Sequence, residues 1–184
     1  MRLNLSDQPV TAELLAESLQ RSGSAQIAVN GTSMHPTLQM GWRIYLRPAM
    51  GEDLVPGEIA VFRTEHHLTV HRLVFIERRG DATTLVFRGD HNRLRERVPA
   101  SAVLARVVAV EVPGSRRGFE KVVALESDAL GLFYRLNWGV YRLLRPILPE
   151  PPAPGTEPGA VGRFGRRMFA FTEKILSVFL PQRR

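Results

Sequence analysis

The chain of 184 residues contains no cysteine, which removes disulfides, thiolate nucleophiles and cysteine-ligated zinc and leaves either redox compartment open. It also lacks an apolar run long enough to cross a bilayer. The most apolar stretch, Leu130 to Leu148, is interrupted by Arg135, Asn137, Arg142 and Arg145. The lead-in, Met1 to Ser24, carries Asp7, Glu13 and Glu17 and has no apolar core of the secretory type. Neither a signal peptide nor a conventional transmembrane helix is therefore expected, and the expected location is the cytoplasm or the periphery of a membrane. Acidic residues are outnumbered, 18 against 25 Lys and Arg, for a net charge of +7. That balance favours contact with anionic surfaces without saying whether they are lipid or nucleic acid.

What is present suits one sizeable core with appendages. Thr11 to Arg21 predicts a short helix, with Thr11 as N-cap, Leu14, Leu15 and Leu19 on one side, and Gly23 past its end. Six β-rich runs follow: Gln26–Val29, Arg43–Leu46, Glu58–Arg63, Thr69–Ile76, Thr83–Arg88 and Val103–Val112, separated by turn signals such as Asn30-Gly31, Pro56-Gly57 and Gly80-Asp81. The expected fold is mainly β. Three regions result: a lead-in with a helix over 1–24, a β domain over 25–113, and a basic, helical C-terminal extension over 114–184 with a proline-rich linker at 149–159.

The extension holds two helical candidates, within Ser127 to Leu148 and over Arg166 to Leu180. In the first, Arg135, Arg142 and Arg145 share one side and aliphatic residues cover much of the rest. Such a helix suits either burial of its apolar face on the β unit or a partner, or a place on an anionic membrane surface.

The segment richest in chemistry is Asn30 to Leu38. It leaves a strand, turns at Gly31 and halts at Pro36, fixing Ser33 on a rigid turn. Glycine lets a substrate carbonyl approach the backbone, and the Ser33 N–H can meet the oxyanion formed when its own hydroxyl attacks. The run Gly31-Thr32-Ser33-Met34-His35-Pro36-Thr37-Leu38 resembles the nucleophile box of type I signal peptidases, G-x-S-M-x-P-T-L, in all six fixed positions. Three further segments follow in the family's order. Val55 to Val61 resembles the G-D-I-V strand with Glu58 in place of aspartate, Val70-His71-Arg72-Leu73-Val74 resembles the box that carries the base, and Arg88-Gly89-Asp90-His91-Asn92 resembles the G-D-x-N box. The likeness spans about half the chain and implies the β-fold of the signal peptidase and LexA superfamily.

The resemblance implies Ser33 as nucleophile and His71 as general base, where most bacterial members have lysine and endoplasmic-reticulum-type and archaeal signal peptidases have histidine. A strand would put His71 on one side with Leu73 and Phe75, and Val70, Arg72 and Val74 on the other. Apolar company there helps keep an imidazole neutral and able to accept the Ser33 proton. A histidine base needs an acid to fix its tautomer. Asp90 is the first candidate, from its place in the G-D-x-N box; Glu96 is the second, because eukaryotic-type enzymes have an acid near that offset. Gly31, Thr32, Met34 and Pro36 would shape the loop and oxyanion site. The run Arg93, Arg95 and Arg97, alternating with Leu94, Glu96 and Val98, reads as a solvated face or a clamp on an acidic peptide. His66-His67 does not read as a metal site, because neighbouring strand residues face opposite ways. No cofactor is implied.

The function this implies is a serine endopeptidase acting on an extended peptide or precursor protein. A LexA-like regulator that cleaves itself would need a DNA-binding unit ahead of the β domain, and one short helix does not supply a helix-turn-helix. Nucleic acid is therefore not the expected partner. A catalytically idle binding module is the remaining alternative.

Overall fold

A computed structural model describes residues 12–65, 67–80, 82–91, 94–113, 121–125 and 129–144. The N-cap Thr11, the linker 149–159 and the helical candidate Arg166 to Leu180 lie outside them. The architecture is mainly β: helix α1 (Ala12–Ser22), then β1 (Ala25–Ala28), β2 (Arg43–Pro48), β3 (Ile59–Arg63), β4 (Leu68–Arg79), β5 (Ala82–Arg88), β6 (Arg95–Pro99), β7 (Val103–Val112) and β8 (Lys121–Ala124), closed by helix α2 (Ala129–Leu144). All pairings are antiparallel. Seven strands run in the order β1-β2-β7-β3-β4-β5-β6 in a curled half-barrel, and β8 adds to the far end of β7. β6 and β8 lie outside the six runs expected from sequence, and β8 carries the sheet past residue 113.

The curl gives β3 two buried faces, which is why Ile59-Ala60-Val61-Phe62 is continuously apolar. Ile59 and Val61 enter one core with Leu15, Leu19, Ile27, Met34, Leu38, Ile44, Leu46 and Val107. Ala60 and Phe62 enter a second with Leu54, Leu73, Ile76, Leu85, Phe87 and Val98. Phe62 and Phe87 stack there at 4.4 Å between ring centroids. Helix α1 caps the first core through Leu15 and Leu19, while Leu14 is largely exposed. It stops at Gly23, whose N–H still donates to the Leu19 carbonyl at 2.9 Å and whose positive φ of 66° then turns the chain out of the helix.

One local irregularity changes the expected faces of β4. Its register against β5 passes from Leu73 opposite Phe87 to Phe75 opposite Val86, leaving Val74 as an extra residue. Across such a bulge the alternation slips by one. Ile76 therefore joins Leu73 in the second core instead of Phe75, and Phe75 packs edge-on against Trp138 of α2 at 5.3 Å.

Helix α2 docks through Gly131, Tyr134 and Trp138. Gly131 comes so close to the turn at Gly57, itself at φ 101°, that a Cβ on Gly57 would meet the Gly131 carbonyl oxygen. Tyr134 is buried, and Arg88 donates to its hydroxyl at 2.6 Å. Facing away from this contact, Leu132, Leu136, Val140 and Leu143 are more than half exposed. The sequence left open which face of this helix is buried; the structure buries the aromatic one and leaves an aliphatic stripe outside. No helix among the described residues is long and apolar enough to cross a membrane.

Burial pushes the Tyr134 phenol up to about 12, against a smaller opposing pull from the Arg88 guanidinium. The unfolded chain ionises this group near 10.0 while the folded one holds its proton to about 12. The unfolded state then binds fewer protons, so this contribution to stability is complete below pH 10 and is lost as pH climbs toward 12. The urea midpoint of the wild type should accordingly fall more steeply over that window than that of Tyr134→Phe.

Candidate active site

Ser33 lies in the long connection between β1 and β2. The connection is pinched at its base, where the Val29 N–H donates to Trp42 at 2.8 Å and the Gly41 N–H donates to Val29 at 2.8 Å. Within it, His35 donates to the Thr32 carbonyl, Leu38 donates to the Met34 carbonyl, and the His35-Pro36 peptide is cis. Met34 and Leu38 are buried in the first core and act as its apolar anchors. Met34 is thus inside the fold and does not line the mouth of the site. Gly31 and Thr32 are exposed, with open space where a Gly31 Cβ would sit.

The structure brings Ser33 Oγ to 3.0 Å from His71 Nε2. His71 sits mid-strand in β4, opposite Ala60 of β3, and is buried with its ring 6.3 Å from that of Phe62. Its other ring nitrogen, Nδ1, lies 3.2 Å from Glu96 Oε2. An ionised carboxylate only accepts, so Nδ1 carries the proton and Nε2 is left with its lone pair toward the serine hydroxyl. The carboxylate is a little over one third exposed, with the imidazole between it and Ser33.

Asp90, the first candidate for orienting the imidazole, does something else. Strand alternation sends Arg72 to the side opposite His71, and Asp90 meets it there: Arg72 Nε donates to Oδ1 at 2.9 Å and Nη2 to Oδ2 at 2.8 Å. Both side chains are almost fully enclosed. Thr37 Oγ1 donates to the same carboxylate, and Arg72 Nη1 donates to the Gly57 carbonyl at 2.8 Å. Asp90 therefore ties the Ser33 loop to Arg72 of β4, Arg72 holds the Gly57 turn, and Glu96 meets His71. Both carboxylate oxygens are engaged by Arg72 and Thr37, and the imidazole contact is made by Glu96 instead.

Two features of this site do not stand out in the sequence. Continuing the register that pairs Arg72 with Arg88 places Gly89 opposite His71. A Cβ on Gly89 would lie 2.5 Å from the Ser33 carbonyl oxygen and 3.1 Å from His71 Nε2. Only glycine leaves room there for the imidazole to reach both partners. Beyond it, the His91 N–H donates to the Ser33 carbonyl at 2.8 Å and latches the Ser33 turn to the end of β5. The exposed rings of His35 and His91 meet edge-on at 6.0 Å beside it. The second feature is Arg72. A lone cation within Val70-His71-Arg72-Leu73-Val74 needs a buried acid, and that requirement is the signal pointing to Asp90 as its partner.

The remaining candidates fall away from the centre. Glu58 accepts from the Val55 N–H at 2.8 Å and pairs with Arg106 at 3.3 Å. Arg97 pairs with Glu77 on the surface. Comparison of the sequence with models of known protein families and with curated proteins finds no match.

The two carboxylates separate on stability. Asp90→Asn leaves the enclosed Arg72 charge without its counter-ion and should lower the unfolding free energy by about 3–5 kcal/mol. Glu96→Gln, on a partly solvated pair, should cost under about 1 kcal/mol. Urea denaturation of both variants checks the contrast.

Proposed function

We propose that this chain is a serine endopeptidase of the signal peptidase and LexA type, and that its curled sheet is that superfamily's β-fold. The observation that carries the reading is the relay Ser33 Oγ to His71 Nε2 at 3.0 Å and His71 Nδ1 to Glu96 at 3.2 Å. It joins a nucleophile, a base and an acid that fixes the base's tautomer. The motif resemblance places the first two in the same roles.

In the proposed reaction, His71 Nε2 takes the Ser33 hydroxyl proton as Oγ attacks the scissile carbonyl. Glu96 steadies the imidazolium without taking its proton. The Ser33 N–H faces the developing oxyanion as one donor. The imidazolium then gives its proton to the departing amine, and the acyl group remains on Oγ. Water, deprotonated by the same imidazole, releases the acid product and restores Ser33. Open space beside Gly31 lets an extended peptide backbone lie against the nucleophile turn.

Incubation with a library of extended peptides, with cut sites mapped by mass spectrometry, tests this. Ser33→Ala and His71→Ala should abolish cleavage. Glu96→Gln should lower kcat by about 10³–10⁴-fold, the cost of losing the orienting acid in such relays. The rate should fall on acidification, because protonated Nε2 cannot accept the serine proton. Cleavage that survives in Ser33→Ala sinks the proposal.

A further inference from the structure

Helix α2 is placed with its aliphatic stripe outward. At 100° per residue, Leu132, Leu136, Val140 and Leu143 fall within one quadrant of the helix, opposite Gly131, Tyr134 and Trp138, which meet the sheet. They are 54%, 61%, 56% and 79% exposed. Scattered exposed leucines need no explanation, whereas four aligned over three turns form a continuous apolar ridge about 16 Å long at 1.5 Å per residue.

Charge selects what covers this ridge. Between Ala129 and Arg184 the chain has nine Lys and Arg against three Asp and Glu, so nearly all of its excess positive charge follows or overlaps α2. The sequence of Arg166 to Leu180 is itself apolar with basic flanks. Two segments of one charge sign pair poorly with each other, and a second copy of the chain would bring the same sign to the same ridge. A partner both apolar and anionic satisfies ridge and charge together. We propose that α2 docks this protein on an anionic lipid surface, with Leu132, Leu136, Val140 and Leu143 entering the headgroup boundary and the positive balance of residues 129–184 supplying the attraction to lipid phosphates. Such helices lie in the interface plane, and their binding combines buried apolar area with attraction to anionic lipid. The inference is independent of the chemistry at Ser33.

Flotation of the full chain with vesicles tests it. Wild type should bind vesicles of equal phosphatidylglycerol and phosphatidylcholine, lose binding as salt rises, and bind pure phosphatidylcholine at least about tenfold more weakly. The triple variant Leu132→Gln, Leu136→Gln and Leu143→Gln keeps helix-forming residues, and should retain the wild-type circular dichroism and Tm while losing about tenfold or more in affinity for the anionic vesicles. Because the chain has no cysteine, Leu143→Cys offers a unique thiol for an environment-sensitive dye, whose emission should shift to the blue on anionic vesicles. An unshifted dye, or a folded triple variant that floats like wild type, overturns the proposal. So does a dimer in sedimentation that the triple variant makes monomeric while wild type ignores vesicles, which would assign the ridge to a second copy of the chain.

Discussion

The interaction on which the site depends is the enclosed pair of Arg72 and Asp90. Neither charge is tolerable at that depth alone, and together they still need their remaining donors and lone pairs satisfied. The partners that do this come from separate parts of the chain. The Gly57 carbonyl belongs to the turn before β3, Thr37 to the Ser33 loop, and Asp90 to the turn after β5. A single guanidinium therefore sets the relative positions of three loops around β4. Arginine suits this better than lysine because its planar fork meets one carboxylate through two nitrogens and has a third for the carbonyl.

His71 precedes Arg72 in the same strand, and alternation turns the two in opposite directions. One faces Ser33 and Glu96, the other the clamp that holds the Ser33 loop in place. Geometry on the His71 side thus inherits its accuracy from the Arg72 side across a single peptide unit. Gly89 completes the arrangement by omission, since any side chain there would push the Ser33 backbone away from the imidazole. The apolar anchors Met34 and Leu38 position the loop only broadly, whereas the hydrogen bonds of Thr37 and His91 fix its two ends relative to β5.

Much of this is legible in the sequence where local pattern and burial agree. The six apolar runs appear as strands with ends shifted by at most three residues, and Val103–Val112 appears unchanged. The nearness of Ser33 to His71 is legible through motif order. What stays hidden is set by pairing between strands. Arg95 to Pro99 begins with three charged residues and resembles a solvated face, yet it is β6, and its alternation turns Glu96 and Val98 inward while Arg95 and Arg97 face solvent. Leaving it out of the strands hides the carboxylate that meets His71 and makes Asp90 the nearer-looking choice. The extra residue at Val74 exchanges Phe75 for Ile76 in the core, and no local propensity marks it. The face on which α2 docks depends on Gly57 and Arg88, distant in sequence, and so is not set by the helix's own periodicity.

Glu96 sits on β6, the last strand of the seven, paired to β5 on one side only. Strands so placed open more readily than the sheet's interior, by local fluctuations that leave the rest of the fold intact. Ser33 and His71 are held by the central strands and the arginine clamp and do not share that looseness. Fraying of a single margin would therefore uncouple the carboxylate from the imidazole while Ser33 remained seated, making Glu96 the softest joint of the three.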